Sequence, residues 1–467
     1  MIVMKFGGTS VGDAQCIGNA ARLVHQAMEQ HGPVVVVVSA MSGVTNALID
    51  AAFAAARGEG QTWQTVHDRL LEKHRSAVLG VASDVGRGIV MLEHIEKLLD
   101  NFVNLCQSIS VLGELTPRGL DVVSSFGERM VVGIVAEALR KEGLRAEAIE
   151  TTEILITDSS FGNASPLMDL TRQKTKARLL PLLEEGVTPV LTGFIGATQE
   201  GVITTLGRGG SDYSAAIFAR CLDADALWIW TDVDGVMTAD PRVVPDARTL
   251  ETISYAEASE LSYFGAKVLH PKTMRPAVEG GIPVRILNSF NPSHPGTLLT
   301  EEVHNGMTVK GIASIDDLSI VTVAGRGMMG VPGVAAKVFG AVARTGTSIF
   351  MISQSSSEQN ICFVIQERNT ERVLAMLNEE LALDISRRDI DQVTAQKGVG
   401  VIAVVGAGMK GTPGISAKVF GALGRNRINV IAIAQGSSEY NISLVVDAKD
   451  VRDAVRAIHA EFGLGQT

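Results

Sequence analysis

An α/β architecture, an open and mainly parallel sheet sandwiched by helices followed by two small βαββαβ modules, is predicted by three observations. Over about the first 290 residues, apolar β-branched runs alternate with helical stretches, the rhythm of βαβ units. Farther on, VAGRGMMGVPGVAAKVFGAVARTGTSIFMISQSSSEQNICFVI recurs without gaps as VVGAGMKGTPGISAKVFGALGRNRINVIAIAQGSSEYNISLVV, the mark of a duplicated module. The length, 467 residues, exceeds what one core of usual size organises and implies two or three domains.

Each element follows in order. MIVMKF reads as a first strand that breaks at Gly7 and Gly8, and Ala14 to His31 reads as a helix. PVVVVVSAM, from Pro33, is too short for a bilayer span and has the composition of a buried parallel strand. A helix is expected from Asn46, and a helical insertion between about residues 60 and 115, where β-branched runs stop. Then come a helix around Gly127 to Lys141, the strand AEAIE, a helix around Asp169 to Leu183, and VTPVLTGFIG as one strand. GRGGSDYS opens a further helix, and ADALWIWTDVDG is the next strand.

Polar and glycine clusters fall at four strand ends, where ligands gather in open parallel sheets. They are KFGGTS; VVVVVSAMSGVTN, with Ser39 and Thr45; LTGFIGAT, with Thr192, Gly193 and Gly196; and WIWTDVDGV, with Thr231, Asp232 and Asp234. As turn formers these residues could be ordinary turns. In KFGGTS the glycines would let backbone N–H groups approach an anion while Lys5 neutralises it. The Walker order is excluded, because the lysine precedes the glycines. In TTLGRGGSDYSAA, Gly207, Gly209 and Gly210 leave the main chain bare around an arginine, Arg208, that reads as buried, and Ser211 or Asp212 could cap the following helix. Such a loop binds anions through free N–H groups and the helix dipole.

The net charge of -10 argues against nucleic-acid and anionic-membrane surfaces, so positive charge for an anionic ligand must be collected locally. Cys16, Cys106, Cys221 and Cys362 are scattered, forming neither a metal spacing nor a disulfide framework, so a reducing cytoplasm is expected. The start of the chain lacks the h-region of a signal peptide, and no leader is expected. His270 and Cys221 read as core residues.

KFGGTSV, SAMSGVTN, SFGERM, GRGGSDYSAA, WTDVDGVMTADPR and ELSYFGAKVLHP, in that order, resemble the aspartate kinases of the amino-acid kinase family. The resemblance covers essentially the whole chain. It implies phosphoryl transfer from ATP, with Mg2+, to the β-carboxylate of L-aspartate, the first step toward lysine, threonine and methionine. By similarity Lys5, Asp212 and Lys267 are catalytic. ATP would meet Lys5, the N–H groups of Gly7 and Gly8, Ser10, Thr231, Asp232, Met237, Arg242 and Lys267. Aspartate would meet Ser39, Thr45, Glu128 (on the α-ammonium), Arg208 (on the α-carboxylate), Gly209, Gly210 and Ser211. Met237 departs from relatives with Tyr there and cannot offer a hydroxyl. Magnesium should lie on phosphate oxygens and waters, with no dedicated metal cluster.

The repeated modules resemble ferredoxin-like ACT amino-acid-binding domains. Copy one runs into DIDQVTAQ, a fourth strand, whereas copy two lacks one and must borrow VKGIASI at 309 to 315. The expected domains are therefore 1–297, catalytic; 316–397, the first ACT module, inserted in the second; and 298–315 with 398–467, the second. Met329, Gly330, Val331, Gln354, Ser356, Asn360, Gln435 and Asn441 are the candidate effector residues. The wording QSSSE favours threonine as feedback amino acid over lysine. Unpaired sheet edges point to a homodimer or higher homo-oligomer. No dinucleotide fingerprint follows, so no fused homoserine dehydrogenase is expected. Two rivals stand beside this reading: a kinase of N-acetylglutamate or glutamate, and a catalytically dead amino-acid sensor.

Overall fold

The computed structural model describes residues 1–265, 271–301, 307–355, 359–436 and 439–465. In chain order the elements begin with β1 (Ile2–Phe6), α1 (Ala14–His31), β2 (Val34–Val38), α2 (Val44–Ala56), α3 (Thr62–Val81), α4 (Val85–Leu112), α5 (Pro117–Lys141), β3 (Ala146–Ile149) and α6 (Met168–Glu184). Next are β4 (Thr188–Thr192), β5 (Ile195–Ala197), β6 (Ile203–Thr205), α7 (Gly210–Leu222), β7 (Ala226–Thr231), β8 (Thr252–Ser254), α8 (Tyr255–Tyr263), α9 (Pro271–Glu279), β9 (Val284–Asn288) and β10 (Thr297–Thr300). Last come β11 (Gly311–Ala324), α10 (Val334–Arg344), β12 (Met351–Gln354), β13 (Asn360–Gln366), α11 (Thr370–Glu380), α12 (Ala382–Ser386), β14 (Gln392–Val405), α13 (Ile415–Arg425), β15 (Ala432–Gln435), β16 (Asn441–Asp447) and α14 (Val451–Glu461).

Two compact units emerge, Met1–Val236 with Glu251–Tyr255 and Leu269–Val303, and Met237–Leu250 with Ala256–Val268 and His304–Thr467. The first holds an eight-stranded sheet of order β3-β4-β2-β1-β7-β9-β10-β8. It is parallel except where β10 runs against β9. β1 lies inside it, Lys5 opposite Val37 on one side and Ile229 on the other. Every residue of β1 and β2 is buried, which explains their unbroken apolar character. Ile17 and Val24 of α1 and Met130 and Ile134 of α5 pack with Met4, Phe6 and Val36 into one core.

Two elements differ from the sequence reading. The helix expected around Gly127 starts at Pro117, where Thr116 accepts a bond from Gly119 N–H and proline occupies the first turn. VTPVLTGFIG is not one strand. It breaks after Thr192, because Phe194 takes a left-handed φ of 67°, and β5 then pairs with β6 in a separate two-stranded sheet.

The second unit is built on a six-stranded sheet of order β12-β13-β11-β14-β16-β15. β11 and β14 are each shared between the two copies. Gly311–Ile315 pairs antiparallel with Val401–Val405, and Leu318–Ala324 pairs with β13. The register shifts between the two halves of β11, beside Asp317 at φ 58°, and β14 turns at Gly398, φ 70°. Residues 311–315 thus complete the sheet of the copy that lacks its own fourth strand.

Residues 237–250 and 256–268 group with this second unit rather than with 1–297. Their partners are remote in sequence. Ile312 N–H donates to the Thr238 carbonyl at 2.8 Å, the Thr238 hydroxyl lies 3.0 Å from the buried His459 Nε2, and Ala407 N–H donates to the buried Glu257 carboxylate at 2.7 Å. No local pattern announces bonds of that span.

Gly406 illustrates how tightly the second copy is closed. A Cβ there would lie 2.3 Å from the Thr308 carbonyl oxygen and 2.7 Å from the Val309 Cα. Both obstacles are backbone. Gly406→Ala is expected to destabilise this unit by about 1–3 kcal/mol, read as a fall in its thermal-unfolding midpoint. Gly424→Ala, whose Cβ would meet nothing within 4 Å, serves as the control.

Candidate active site

Lys5 sits near the carboxyl end of β1 with only 7% of its surface exposed. Its Nζ lies 2.6 Å from Asp212 Oδ1 in the first turn of α7. The contact is an ion pair without hydrogen-bond alignment, which leaves Asp212 Oδ1 otherwise unpartnered. Burial of an ammonium requires such a counter-charge.

A cavity of about 440 Å³ opens around the pair. It is lined by Lys5 and Gly8; by Ser39, Ala40 and Met41 after β2; by Ser42, Gly43, Thr45 and Asn46 at the start of α2; and by Glu128 of α5. Phe194 and the loop Gly207 to Asp212 complete it. The helices α2 and α7 both begin behind a glycine in the left-handed region, Gly43 and Gly209, and neither has a side-chain cap. Both N-termini therefore offer backbone N–H groups and the positive end of a helix dipole to an anion.

Glu128 is the unusual carboxylate. It is 3% exposed. Oε1 accepts the Ala40 N–H at 3.1 Å, while Oε2 is buried without a hydrogen-bond partner. Desolvation raises its pKa to about 8, only partly opposed by the Ala40 N–H and the charge of Lys5. A buried carboxyl with one oxygen unsatisfied, on the wall of a polar cavity, marks a candidate contact for a polar or cationic ligand group.

Several expected residues thus meet at one cavity: Lys5, Gly8, Ser39, Thr45, Glu128, Arg208, Gly209, Gly210, Ser211 and Asp212. Arg208 is exposed, contrary to the buried reading, because the glycines lift it into the opening. Ser211 and Asp212 are not caps but first-turn residues behind Gly209. Gly7 does not offer its N–H to an anion, since it donates to the Trp230 carbonyl at 3.0 Å. Gly8 matters sterically, because a Cβ there would stand 2.7 Å from the Ala40 carbonyl oxygen. Ser10 is 1% exposed, its hydroxyl 2.8 Å from that of Ser289, and is a buried strut rather than a cavity residue. Thr192 is likewise spent in a buried hydroxyl pair with Thr151. Ala40 and Phe194 also line the cavity, and the sequence does not announce them, because an alanine and a phenylalanine carry no chemical signature. The glycines flanking Phe194 were the available signal.

Thr231 ends β7 beside β1 and Asp232 follows it, the Thr231 hydroxyl bonding Asp232 at 3.3 Å. Met237 and Arg242 belong to the second unit, where Asp240 holds the Arg242 guanidinium at 2.6 Å. Lys267, His270 and Ser356 lie outside the described residues. Cys221 is fully buried. Among the described residues no three His, Cys, Asp or Glu side chains gather at metal-binding spacing. No helix among them is long and apolar enough to cross a membrane.

In the second unit, Met329 and Val331 are exposed beside Gly330, which takes φ 70°. Gln354 ends β12 and Asn360 opens β13; Gln435 ends β15 and Asn441 opens β16. Nearby, Arg326 N–H donates to Asp391 at 3.3 Å, and Ala407 N–H to Glu257. The Asn441 amide donates to Glu260 of α8 at 3.0 Å.

Residues 1–288 match the model of the amino acid kinase family, and residues 321–381 and 402–462 match an ACT domain model. The bifunctional aspartokinase/homoserine dehydrogenase 2 of Arabidopsis thaliana is 36% identical over 100% of this chain, but over 51% of its own length, so the chain spans about half of that relative. The lysine-sensitive aspartokinase 3 of Escherichia coli is 32% identical, with 98% of both sequences covered. The crystal structure of E. coli aspartokinase III in complex with aspartate and ADP superimposes with a TM-score of 0.83 at 32% identity, covering 99% of each chain. The chain belongs to the amino acid kinase family, among the ACT-bearing aspartokinases.

Proposed function

We propose that the chain is an aspartate kinase, transferring the γ-phosphoryl group of ATP to the β-carboxylate of L-aspartate. The observation that carries this is the unsatisfied Glu128 carboxylate in one cavity with exposed Arg208 and the Lys5–Asp212 pair. Glu128 takes the α-ammonium and Arg208 the α-carboxylate, as a planar fork suits. The β-carboxylate is thereby directed toward Lys5. One of its oxygens bonds to the γ-phosphorus, the bond to the bridging oxygen breaks, and ADP departs. The acceptor is ionised at neutral pH, so no base is required. Asp212 acts instead by holding the Lys5 ammonium where charge develops on the transferred group, and charge stabilisation with positioning supplies most of the rate. The uncapped N-termini of α2 and α7 add backbone donors. Magnesium bound to ATP would supply further neutralising charge.

Nucleotide contacts at Thr231 and Asp232 are part of the same proposal, as is a homo-oligomer formed through the ACT modules. Release of ADP, measured with L-aspartate, L-glutamate and N-acetyl-L-glutamate, tests it. Turnover with aspartate alone is expected, while turnover with another acid, or with none, would favour one of the two rival readings.

For regulation we propose a feedback amino acid acting through the ACT modules. The wording QSSSE favours threonine, but neither curated relative described above carries threonine in its name as an effector. The E. coli aspartokinase 3, of which 98% is covered, is named lysine-sensitive. Lysine is therefore the effector expected to inhibit aspartate-dependent ADP release and to raise the melting temperature, since a ligand of the folded state stabilises it by mass action. A response to threonine alone would reverse that assignment.

A further inference from the structure

We infer that Asp121, which lies outside the cavity, is the residue that positions the Arg208 loop and thereby sets recognition of the substrate α-carboxylate. The inference rests on the aspartate kinase reading. Asp121 is 1% exposed, on α5 two helical turns before Glu128. Its Oδ2 accepts the N–H groups of Gly162 and Thr205, each at 3.0 Å, and Oδ1 accepts the Thr205 hydroxyl at 2.6 Å. Among the described residues no cation pairs with it; three backbone and hydroxyl donors carry its charge.

Those donors belong to the two segments that shape the arginine loop. Thr205 is the last residue of β6, immediately before Leu206 and the glycines that flank Arg208. Gly162 lies in the neighbouring loop, which is tied to the same strand by Ala164 N–H on the Thr205 carbonyl at 2.9 Å. The segments are in such close contact that a Cβ on Gly207 would stand 2.9 Å from the Gly162 carbonyl oxygen. The base of the loop is therefore clamped to α5 through one carboxylate, while the Arg208 side chain at its tip is exposed on the cavity. α5 thus serves both charged ends of the substrate: Glu128 directly, and Arg208 through Asp121. Asp121 is a positioning residue, and its loss should slacken the fork that holds the α-carboxylate without touching the nucleotide.

Steady-state kinetics of the full chain test this, with L-aspartate and with its α-amide, which keeps the β-carboxylate but removes the α-carboxylate charge. Asp121→Asn should raise KM for aspartate by about 10- to 100-fold with KM for ATP within about twofold of wild type, and should shrink the preference for aspartate over the α-amide. Thr205→Val, which removes one of the three bonds, should fall between, and Thr205→Ser should behave as wild type. If Asp121→Asn does not fold, the Thr205 pair carries the test. In an Arg208→Gln background, Asp121→Asn should add little. An unchanged preference for the α-carboxylate in Asp121→Asn or Thr205→Val, equal rises in both KM values, or full additivity with Arg208→Gln would overturn the inference. A wild-type protein silent on aspartate would instead remove the aspartate kinase reading, so the two failures are distinguishable.

Discussion

Lys5→Met should lower kcat for aspartate-dependent ADP release by about 10³-fold or more, in the range seen when a cation facing a transferred phosphoryl group is removed. Methionine keeps an unbranched apolar stem of similar length, so packing within β1 is preserved while the ammonium is lost. The effect belongs in kcat rather than in KM for aspartate, because the charge that Lys5 meets grows as the phosphoryl group moves. The same substitution strips Asp212 of its counter-charge 2.6 Å away. That carboxylate is 18% exposed, so water screens part of the loss, and a cost of about 1–2 kcal/mol in stability is expected. Stopped-time ADP assays and a melting curve separate the two effects. A kcat within tenfold of wild type would contradict the role given to this ammonium.

Glu128→Gln should reduce kcat/KM for aspartate by about 10²- to 10³-fold, the usual scale for removing one partner of a desolvated charge pair, with little change toward ATP. It also carries a pH signature of definite sign. Burial raises the pKa of Glu128 from 4.5 to about 8 in the folded chain. The folded state therefore holds this proton more tightly than the unfolded one. The associated stability is complete below the unfolded pKa and is lost as pH rises through the folded one. Glutamine cannot ionise, so above about pH 8 the variant without substrate should melt higher than wild type, and the advantage should vanish in acid. Binding of the substrate ammonium reverses the preference toward the carboxylate, so aspartate binding between about pH 5 and 8 should release a proton. Calorimetry in two buffers of different ionisation enthalpy measures that release, and Glu128→Gln should abolish it.

What could be read from the sequence was local. The strand before Lys5, the valine run of β2 and the glycines around Arg208 each carry their meaning within a few residues, since burial on both faces demands apolar side chains and a positive φ demands glycine. What could not be read depends on partners far along the chain. Nothing near Ser10 says that its hydroxyl is consumed by Ser289, and nothing near Gly7 says that Trp230 takes its N–H. The exposure of Arg208 is not legible locally, because glycine neighbours signal a bare backbone, which suits a buried loop and a projecting one equally. The assignment of residues 237–250 to the second unit rests on bonds to Ile312, His459 and Leu464 that no window of sequence contains.

The most direct test is to trap the product. With ATP, magnesium, L-aspartate and hydroxylamine, aspartate β-hydroxamate is expected in step with ADP, at a rate that collapses in Lys5→Met. Formation of ADP without hydroxamate, a hydroxamate at the α-carboxyl, or equal yields from Lys5→Met and wild type would show that this cavity does not carry phosphoryl transfer to the β-carboxylate.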